Sequence, residues 1–166
     1  MKRGLWVLGL AFAGLAAAAE PASPARLDEV AERGAKVMPF DLEKTTHVFS
    51  KNAQGGRQEV VAKDAGDAAQ IRLIREHLSA LANGFARGDF AGPASIHGQA
   101  MPGLAVLRAA KPGQVAYAYA DLADGGRIDY VSGDPVLVEA IHQYFDAQLS
   151  DHARHAMSGH HLMHGR

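Results

Sequence analysis

The chain has 166 residues, of which 48% are hydrophobic and 21% charged, a composition typical of one globular domain. Its 17 basic and 18 acidic residues include no long basic stripe, so nucleic acid is not an expected partner. It contains no cysteine, which excludes disulfides, thiolate metal sites, cysteine catalysis and a lipid-modified N-terminal cysteine.

The first residues have the layout of a secretory signal peptide. Lys2 and Arg3 precede an apolar run from Leu5 to Ala19, and small residues come before Glu20. The run of about 15 residues is shorter than the roughly 20 needed to span a bilayer. We therefore predict a signal peptide over residues 1–19, a periplasmic or secreted protein, and no membrane association after cleavage.

The first half of the mature chain is predicted to contain two helices and a hairpin. Residues 20–26 are rich in Pro and Ala and are typical of a flexible leader. A short helix is expected from Leu27 until Pro39 stops it, and a β-hairpin is expected around Asn52–Gly56. The next helix should begin at its N-cap Asp67, because apolar residues then advance by three and four: Ile71, Ile74, Leu78, Leu81 and Phe85.

The second half repeats this order. A short helix is expected over Leu104–Ala109, followed by a hairpin with its turn at residues 124–126 and Tyr117 and Tyr119 on its first strand. Asp134 and Pro135 then open a long helix. Its expected apolar stripe comprises Val138, Ile141, Phe145 and Leu149.

Two glycine-rich segments suggest an internal repeat. "GGRQEVVAKDAGD" at 55–67 and "GGRIDYVSGD" at 125–134 each lead out of a hairpin and into a long helix. A lone hairpin is not stable and needs a covering layer. We therefore predict an α+β fold of two ββα units, with a mainly antiparallel four-stranded sheet and two long helices packed on one face. The domain should cover residues 27–157, and residues 158–166 should form a flexible tail.

The common enzyme signatures are missing from the sequence. It has no G-x-S-x-G, no G-x-x-x-x-G-K-[ST], no H-E-x-x-H and no C-x-x-C-H motif. A small hydrolase using His142 as base and Asp146 to orient it would have no visible nucleophile or oxyanion loop. We therefore expect a protein without catalytic activity.

The C-terminal segment "HARHAMSGHHLMHGR" is rich in metal-ligating side chains. Imidazole binds Cu, Zn, Ni and Fe, whereas thioether sulfur prefers Cu(I), so a mixture of both favours copper over zinc or nickel. The alternative is a polar, solvated tail whose histidines are incidental. The candidate ligands are His152, His155, Met157, His160, His161, Met163 and His164.

Weaker candidates lie in the body of the domain. His97 and Met101 are four residues apart, as are His142 and Asp146 on the last helix, a spacing that suits a ligand pair or a carboxylate orienting a ligand. If the two long helices pack side by side, His77, His142 and His152 approach one another. His47, on the first strand, is expected to face solvent or a cross-strand partner.

The strings "MPFDLEKTTHVF", "GGRQEVVAKD", "QIRLIREHL", "GDFAGPASIHGQAMPGL" and "IHQYFDAQLSDH" resemble a family of small exported proteobacterial proteins. The resemblance covers about residues 34–157 and implies export and a single domain, without a mechanism. Members sometimes carry the label aspartate carbamoyltransferase. That activity needs two nucleotide-fold-sized domains and a Ser-Thr-Arg-Thr phosphate loop, which this sequence lacks.

These observations predict an exported, non-catalytic protein that binds a transition-metal ion, foremost copper, for buffering, carriage or tolerance. The alternative is an envelope protein-interaction module. In that case both helices and the Tyr117/Tyr119 strand would form the surface for a protein partner, and the histidines would be incidental.

Overall fold

The structure, a computed structural model, describes residues 22–159. This part of the chain contains five α-helices, five β-strands and a short 3-10 helix at Leu42–Lys44. In chain order the elements are α1 (Pro24–Val37), β1 (Thr45–Asn52), β2 (Gly55–Ala62), α2 (Ala68–Phe85), α3 (Ala91–His97), α4 (Leu104–Ala109), β3 (Ala116–Leu122), β4 (Gly125–Val131), α5 (Pro135–Asp151) and β5 (Ala156–Ser158).

Each long helix begins directly after an aspartate that caps its N-terminus. The Asp67 carboxylate accepts a hydrogen bond from the backbone N–H of Gln70, 3.1 Å away, at the start of α2. The Asp134 carboxylate accepts from the N–H of Val136 at 2.9 Å, with Pro135 in the first turn of α5. Each cap satisfies a backbone donor that has no partner within its helix, so both predicted starts are confirmed.

The sheet is mixed and has the strand order β3-β4-β2-β1-β5. The two hairpins are joined by antiparallel pairing of β2 with β4, and β5 pairs in parallel with β1. The α+β class is confirmed. The prediction of four strands is wrong in detail, because the short segment Ala156–Ser158 adds a fifth strand at the edge.

Both long helices pack on the same face of the sheet. The ring of Tyr130 on β4 lies 6.1 Å from that of Phe85 on α2 and 5.0 Å from that of Phe145 on α5. Gly56 on β2 makes room for this contact, because a Cβ there would be 2.7 Å from the Phe145 ring. The core therefore lies between one sheet face and the two helices.

Several boundaries differ from the sequence-based expectations. Helix α1 begins at Pro24, inside the expected leader, with Ser23 accepting from the N–H of Arg26. Strand β5 includes Ser158, which the tail was expected to contain. The stripe of α5 is rotated, since Val138 and Leu149 are only half-buried. Tyr144 is fully buried in their place.

None of the helices within residues 22–159 is long and apolar enough to span a membrane. The predicted signal peptide and most of the predicted tail lie outside the described residues.

Candidate functional site

Four histidines from distant parts of the chain line one interior cavity. These are His47 on β1, His77 on α2, His97 at the end of α3 and His152 directly after α5, hereafter the histidine cluster. The cavity has a volume of about 40 Å³. A single water needs about 10–15 Å³, so the space holds one ion or a few small molecules at most.

The orientation of His97 is fixed by a carboxylate. Its Nδ1 lies 2.7 Å from an oxygen of Asp151, the last residue of α5. With the Nδ1–H donating to this carboxylate, the other ring nitrogen, Nε2, keeps its lone pair. A carboxylate that holds the far side of an imidazole in this way is the usual partner of a metal-ligating histidine.

Arg26 on α1 completes this arrangement. Its guanidinium donates two hydrogen bonds to Asp151, at 3.2 and 2.7 Å, and a third to the backbone carbonyl of His97 at 2.8 Å. A paired, two-pronged contact of this kind is geometrically specific. Arg26 therefore ties α1, α3 and α5 together at the edge of the cavity.

His97 and His152 meet through their Nε2 atoms, which are 3.3 Å apart. Since Asp151 accepts from His97 Nδ1, the His97 Nε2 is the acceptor in this contact and the His152 Nε2–H is the donor. The two rings are nearly perpendicular, with centroids 4.9 Å apart. Both nitrogens are thus directed at one small region of space.

His47 stacks on His152 and has an unsatisfied ring nitrogen. The two rings are parallel to within 5°, with centroids 5.5 Å apart, and His47 is only 4% exposed. Its buried Nδ1 has no hydrogen-bond partner among residues 22–159. An orphaned buried polar atom is costly and calls for an explanation such as a missing ion. The expectation that His47 faces solvent is therefore wrong, and its direct cross-strand neighbour on β2 is Val60.

His77 forms the outer wall of the cavity. It is half-buried, and the edge of Phe40 packs against its ring at a centroid distance of 5.5 Å. Of the four histidines it is the least enclosed. Its side chain therefore has more freedom to turn than the other three.

Burial lowers the pKa of three of these imidazoles and so favours their uncharged form. It lowers the pKa of His47 to about 4, helped by the nearby His77 and His155. Burial also lowers the pKa of His152 well below its ordinary value and, to a smaller extent, that of His77. Neutral imidazole is the metal-binding form, because only then is a ring nitrogen lone pair free.

Asp151 remains an anion beside this neutral group. Burial by itself would raise its pKa, but the hydrogen bonds and charges of His97 and Arg26 outweigh that effect and hold the pKa at about 2. The C-terminus of α5 also carries partial negative charge, and His152 caps it. Asp151 therefore places a negative charge beside His97, and the Arg26 guanidinium pairs with that charge.

His142 and Asp146, expected as a pair, are bound elsewhere. The Nε2 of His142 donates towards the backbone carbonyls of Asn52 and Gly55, at 3.0 and 2.9 Å. Asp146 forms an ion pair with Lys51. The expected approach of His142 to His77 and His152 is wrong, since His142 holds the β1–β2 turn instead.

Met101 lies near the site but on its far side. It is buried and lines a surface groove of about 490 Å³ together with His97, Asp151 and Arg26. Gly98 ends α3 directly after His97, so His97 and Met101 are not on one helical face. They share the groove, not the cavity.

The three candidate ligands of the C-terminal segment that lie within the described residues, His152, His155 and Met157, are in different places. Helix α5 ends at Asp151, so His152 enters the cluster, whereas the His155 Nε2 lies 3.2 Å from a carboxylate oxygen of Glu43. Met157 is exposed and pairs with Val48, on the sheet face opposite His47. The remaining candidates, His160, His161, Met163 and His164, lie outside the described residues.

Sequence reasoning missed three parts of this site: the role of His47, the Asp151–Arg26 pair, and Met38, whose side chain also lines the cavity. The alternation of β1 contained a usable signal for the first. His47 and Phe49 are two residues apart and therefore share a face, and Phe49 is fully buried.

The chain matches no protein-family model, no curated protein and no solved structure. The resemblance to small exported proteins thus stays a prediction. The function has to be argued from the site itself.

As placed, no three His, Cys, Asp or Glu side chains within residues 22–159 are arranged to hold a metal ion. The site has one close pair of nitrogens, His97 Nε2 and His152 Nε2, and two further imidazoles on the same cavity. Chemically it offers neutral nitrogen ligands and one orienting carboxylate. Among the described residues, the phenol of Tyr144 is the only nucleophilic hydroxyl that lines the cavity, and it accepts a hydrogen bond from Gln148.

Proposed function

We propose that this is an exported metal-binding protein that holds one transition-metal ion inside its fold, at the histidine cluster, as a buffer or carrier. His97 and His152 are the primary ligands, and Asp151 orients His97. His77 and His47 supply the remaining nitrogens. The histidine and methionine side chains of the tail form a second, separate set of ligands that captures the metal ion.

The distance between the two Nε2 atoms is the observation that supports this proposal. Two nitrogens bound about 2.0 Å from one tetrahedral ion are about 3.3 Å apart. The Nε2 atoms of His97 and His152 are separated by that distance, 3.3 Å, in the metal-free arrangement. An ion bound by both nitrogens would therefore take the place of the proton between them without a change in their separation.

The third and fourth ligands require a modest rearrangement. His77 is half-buried on the cavity wall and can change its rotamer. His47 contributes a buried ring nitrogen that otherwise lacks a partner within the described residues.

An envelope interaction module has less support, because the strand expected to meet a partner is partly buried against the core. The ring of Tyr117 is 5.6 Å from Phe85 and 5.2 Å from Tyr130. The apolar faces of α2 and α5 cover the sheet. Tyr117 and Tyr119 are thus partly packed against the core, which leaves less of their apolar surface for a partner.

The test is a set of metal titrations with Cu(I), Cu(II), Zn(II) and Ni(II), with Cu(I) handled anaerobically. The variants are His97→Ala, His152→Ala, and a full-length tail-alanine variant in which His160, His161, Met163 and His164 are replaced by alanine. His142→Ala is the matched control, because it removes a histidine of α5 that holds a turn instead of lining the cavity. Circular dichroism establishes that each variant is folded.

We expect at least one ion to bind the tail-alanine and His142→Ala proteins tightly, and binding to be lost in the two cluster variants. Loss of binding in the tail-alanine protein alone would place the metal in the tail and contradict the interior site. A Kd weaker than ~10 µM, about 7 kcal/mol, for every metal would contradict metal binding as the function.

A further inference from the structure

The wall of the cavity contains a thioether beside the four imidazoles. Met38, the residue that caps the C-terminus of α1, lines the same space as the histidine cluster. Its side chain is partly buried against the core. A methionine side chain has three rotatable bonds, so its sulfur can change position through rotamer changes alone.

The cavity wall carries no formal charge. Its lining contains no Asp, Glu, Lys or Arg side chain among the described residues. Burial keeps the pKa of Tyr144 above its ordinary value, so this phenol stays protonated. The nearest anion, Asp151, acts only through the His97 ring and is itself paired with Arg26.

Charge then distinguishes between the candidate ions. The cost of moving an ion from water into a low-dielectric interior rises with the square of its charge, so a divalent ion costs about four times as much as a monovalent one. Divalent sites in proteins commonly use a ligating carboxylate or thiolate to offset this cost. The cavity offers neither.

We infer that the ion held by the histidine cluster is Cu(I), bound by imidazole nitrogens together with the Met38 sulfur. Cu(I) is monovalent and soft, and it accepts both imidazole and thioether ligands. This inference rests on the proposed function, which requires only that some transition-metal ion binds in the cavity. It adds the identity and charge of the ion and one ligand that the sequence did not indicate.

The test compares two methionines in the tail-alanine protein. Met38→Leu removes the sulfur from the cavity at nearly constant volume. Met101→Leu is the matched control, because Met101 is buried but lines the surface groove instead. Cu(I) affinity is measured anaerobically by competition with a chromogenic chelator, and Zn(II) affinity is measured in parallel.

We expect Met38→Leu to lower the Cu(I) affinity by about tenfold or more and to leave the Zn(II) affinity unchanged. Met101→Leu should change neither. X-ray absorption of the Cu(I) protein should show one sulfur among nitrogen ligands, and Met38→Leu should remove that sulfur signal.

Equal Cu(I) affinities in the two variants, or a copper ion without sulfur in its shell, would overturn the inference. So would Zn(II) binding more tightly than Cu(I). In each of these cases metal would still bind at the cluster, and the proposed function would stand. If neither Cu(I) nor Zn(II) bound to the tail-alanine protein, the interior site and this inference would both be wrong.

Discussion

The Nε2 atoms of His97 and His152 lie 3.3 Å apart, although 55 positions separate the two residues in the chain. Both residues lie at helix ends: His97 is the last residue of α3, and His152 is the C-cap of α5. The contact exists because Asp151, one residue before His152, holds the Nδ1 of His97 at 2.7 Å. Two helix ends and one carboxylate thus form the centre of the candidate site.

Replacing this carboxylate tests its role directly. Asp151→Asn removes the negative charge that makes the His97 Nε2 a better ligand, so we expect metal affinity to fall by about 10- to 100-fold. Asp146→Asn is the matched control, because that carboxylate is also on α5 but pairs with Lys51. Both are measured by isothermal titration with Zn(II). Equal affinities in the two variants would show that Asp151 does not orient a ligand.

Arg26 is expected to stabilise the fold more than a comparable surface arginine does. It binds Asp151 and the His97 carbonyl with its side chain 29% exposed, whereas Arg154 makes one ion pair with Asp28, with its side chain 49% exposed. Both contacts link α1 to the region at or just after the end of α5. We expect Arg26→Gln to lower the free energy of unfolding by about 2–3 kcal/mol and Arg154→Gln by less than about 1 kcal/mol. Urea denaturation measures both, and similar losses would contradict this account of Arg26.

The stability of the metal-free protein should fall as the pH drops below about 6.5. The pKa of His47 is lowered to about 4 by burial, so the unfolded chain binds a proton more readily than the folded one between these values. The contribution of neutral His47 to the free energy of unfolding is complete above the pKa that this residue has in the unfolded chain. It is lost as the pH falls to the pKa of His47 in the folded protein. The loss is on the order of 3 kcal/mol, since one pKa unit corresponds to about 1.4 kcal/mol.

His47→Leu gives the comparison for this pH dependence. Unfolding free energies measured from pH 4 to pH 8 should decline less steeply on the acid side in this variant than in the unchanged protein. His142→Gln removes a histidine outside the cluster and should leave the steep decline in place. Parallel curves for His47→Leu and the unchanged protein would contradict a neutral, buried His47.

Two glycines with the same backbone handedness should respond differently to substitution. Gly103 and Gly113 both have positive φ, 75° and 85°, so alanine is strained at either position. A Cβ at Gly103 would lie 2.1 Å from the carbonyl oxygen of Ala140, whereas nothing lies within 4 Å of one at Gly113. We expect Gly113→Ala to lower the free energy of unfolding by about 1 kcal/mol. Gly103→Ala should lower it by at least about 2 kcal/mol more. Thermal unfolding measures both variants. Equal decreases in Tm would contradict the close packing of α4 on α5.

Much of the fold could be predicted because its signals are local. Aspartate caps and apolar spacing identify α2 and α5, and paired glycines identify both hairpins. Strand β5 has only three residues, and no pattern in "AMS" distinguishes it from a loop. Its pairing with β1 depends on where α5 ends, which is a tertiary property. Helix α3 was not predicted from the sequence: it has only seven residues, with Pro93 in its first turn and Gly98 directly after its last residue.

The candidate site could be predicted only in part. His77, His97 and His152 were recognised as possible ligands from their residue types, but the grouping was wrong because His142 was placed with them. A rotation of α5 about its own axis by a fraction of a turn changes which of its residues face the core. The spacing of apolar residues alone does not define that rotation closely. His47 and Met38 come from β1 and the end of α1, and only the folded chain brings them to the same cavity.

The most direct measurement is a crystal structure of the metal-loaded protein with anomalous diffraction at the copper edge. We expect an anomalous peak inside the cavity, about 2 Å from the Nε2 atoms of both His97 and His152. A peak bound only by tail residues, or no peak in the cavity at full occupancy of the protein in solution, would contradict this expectation.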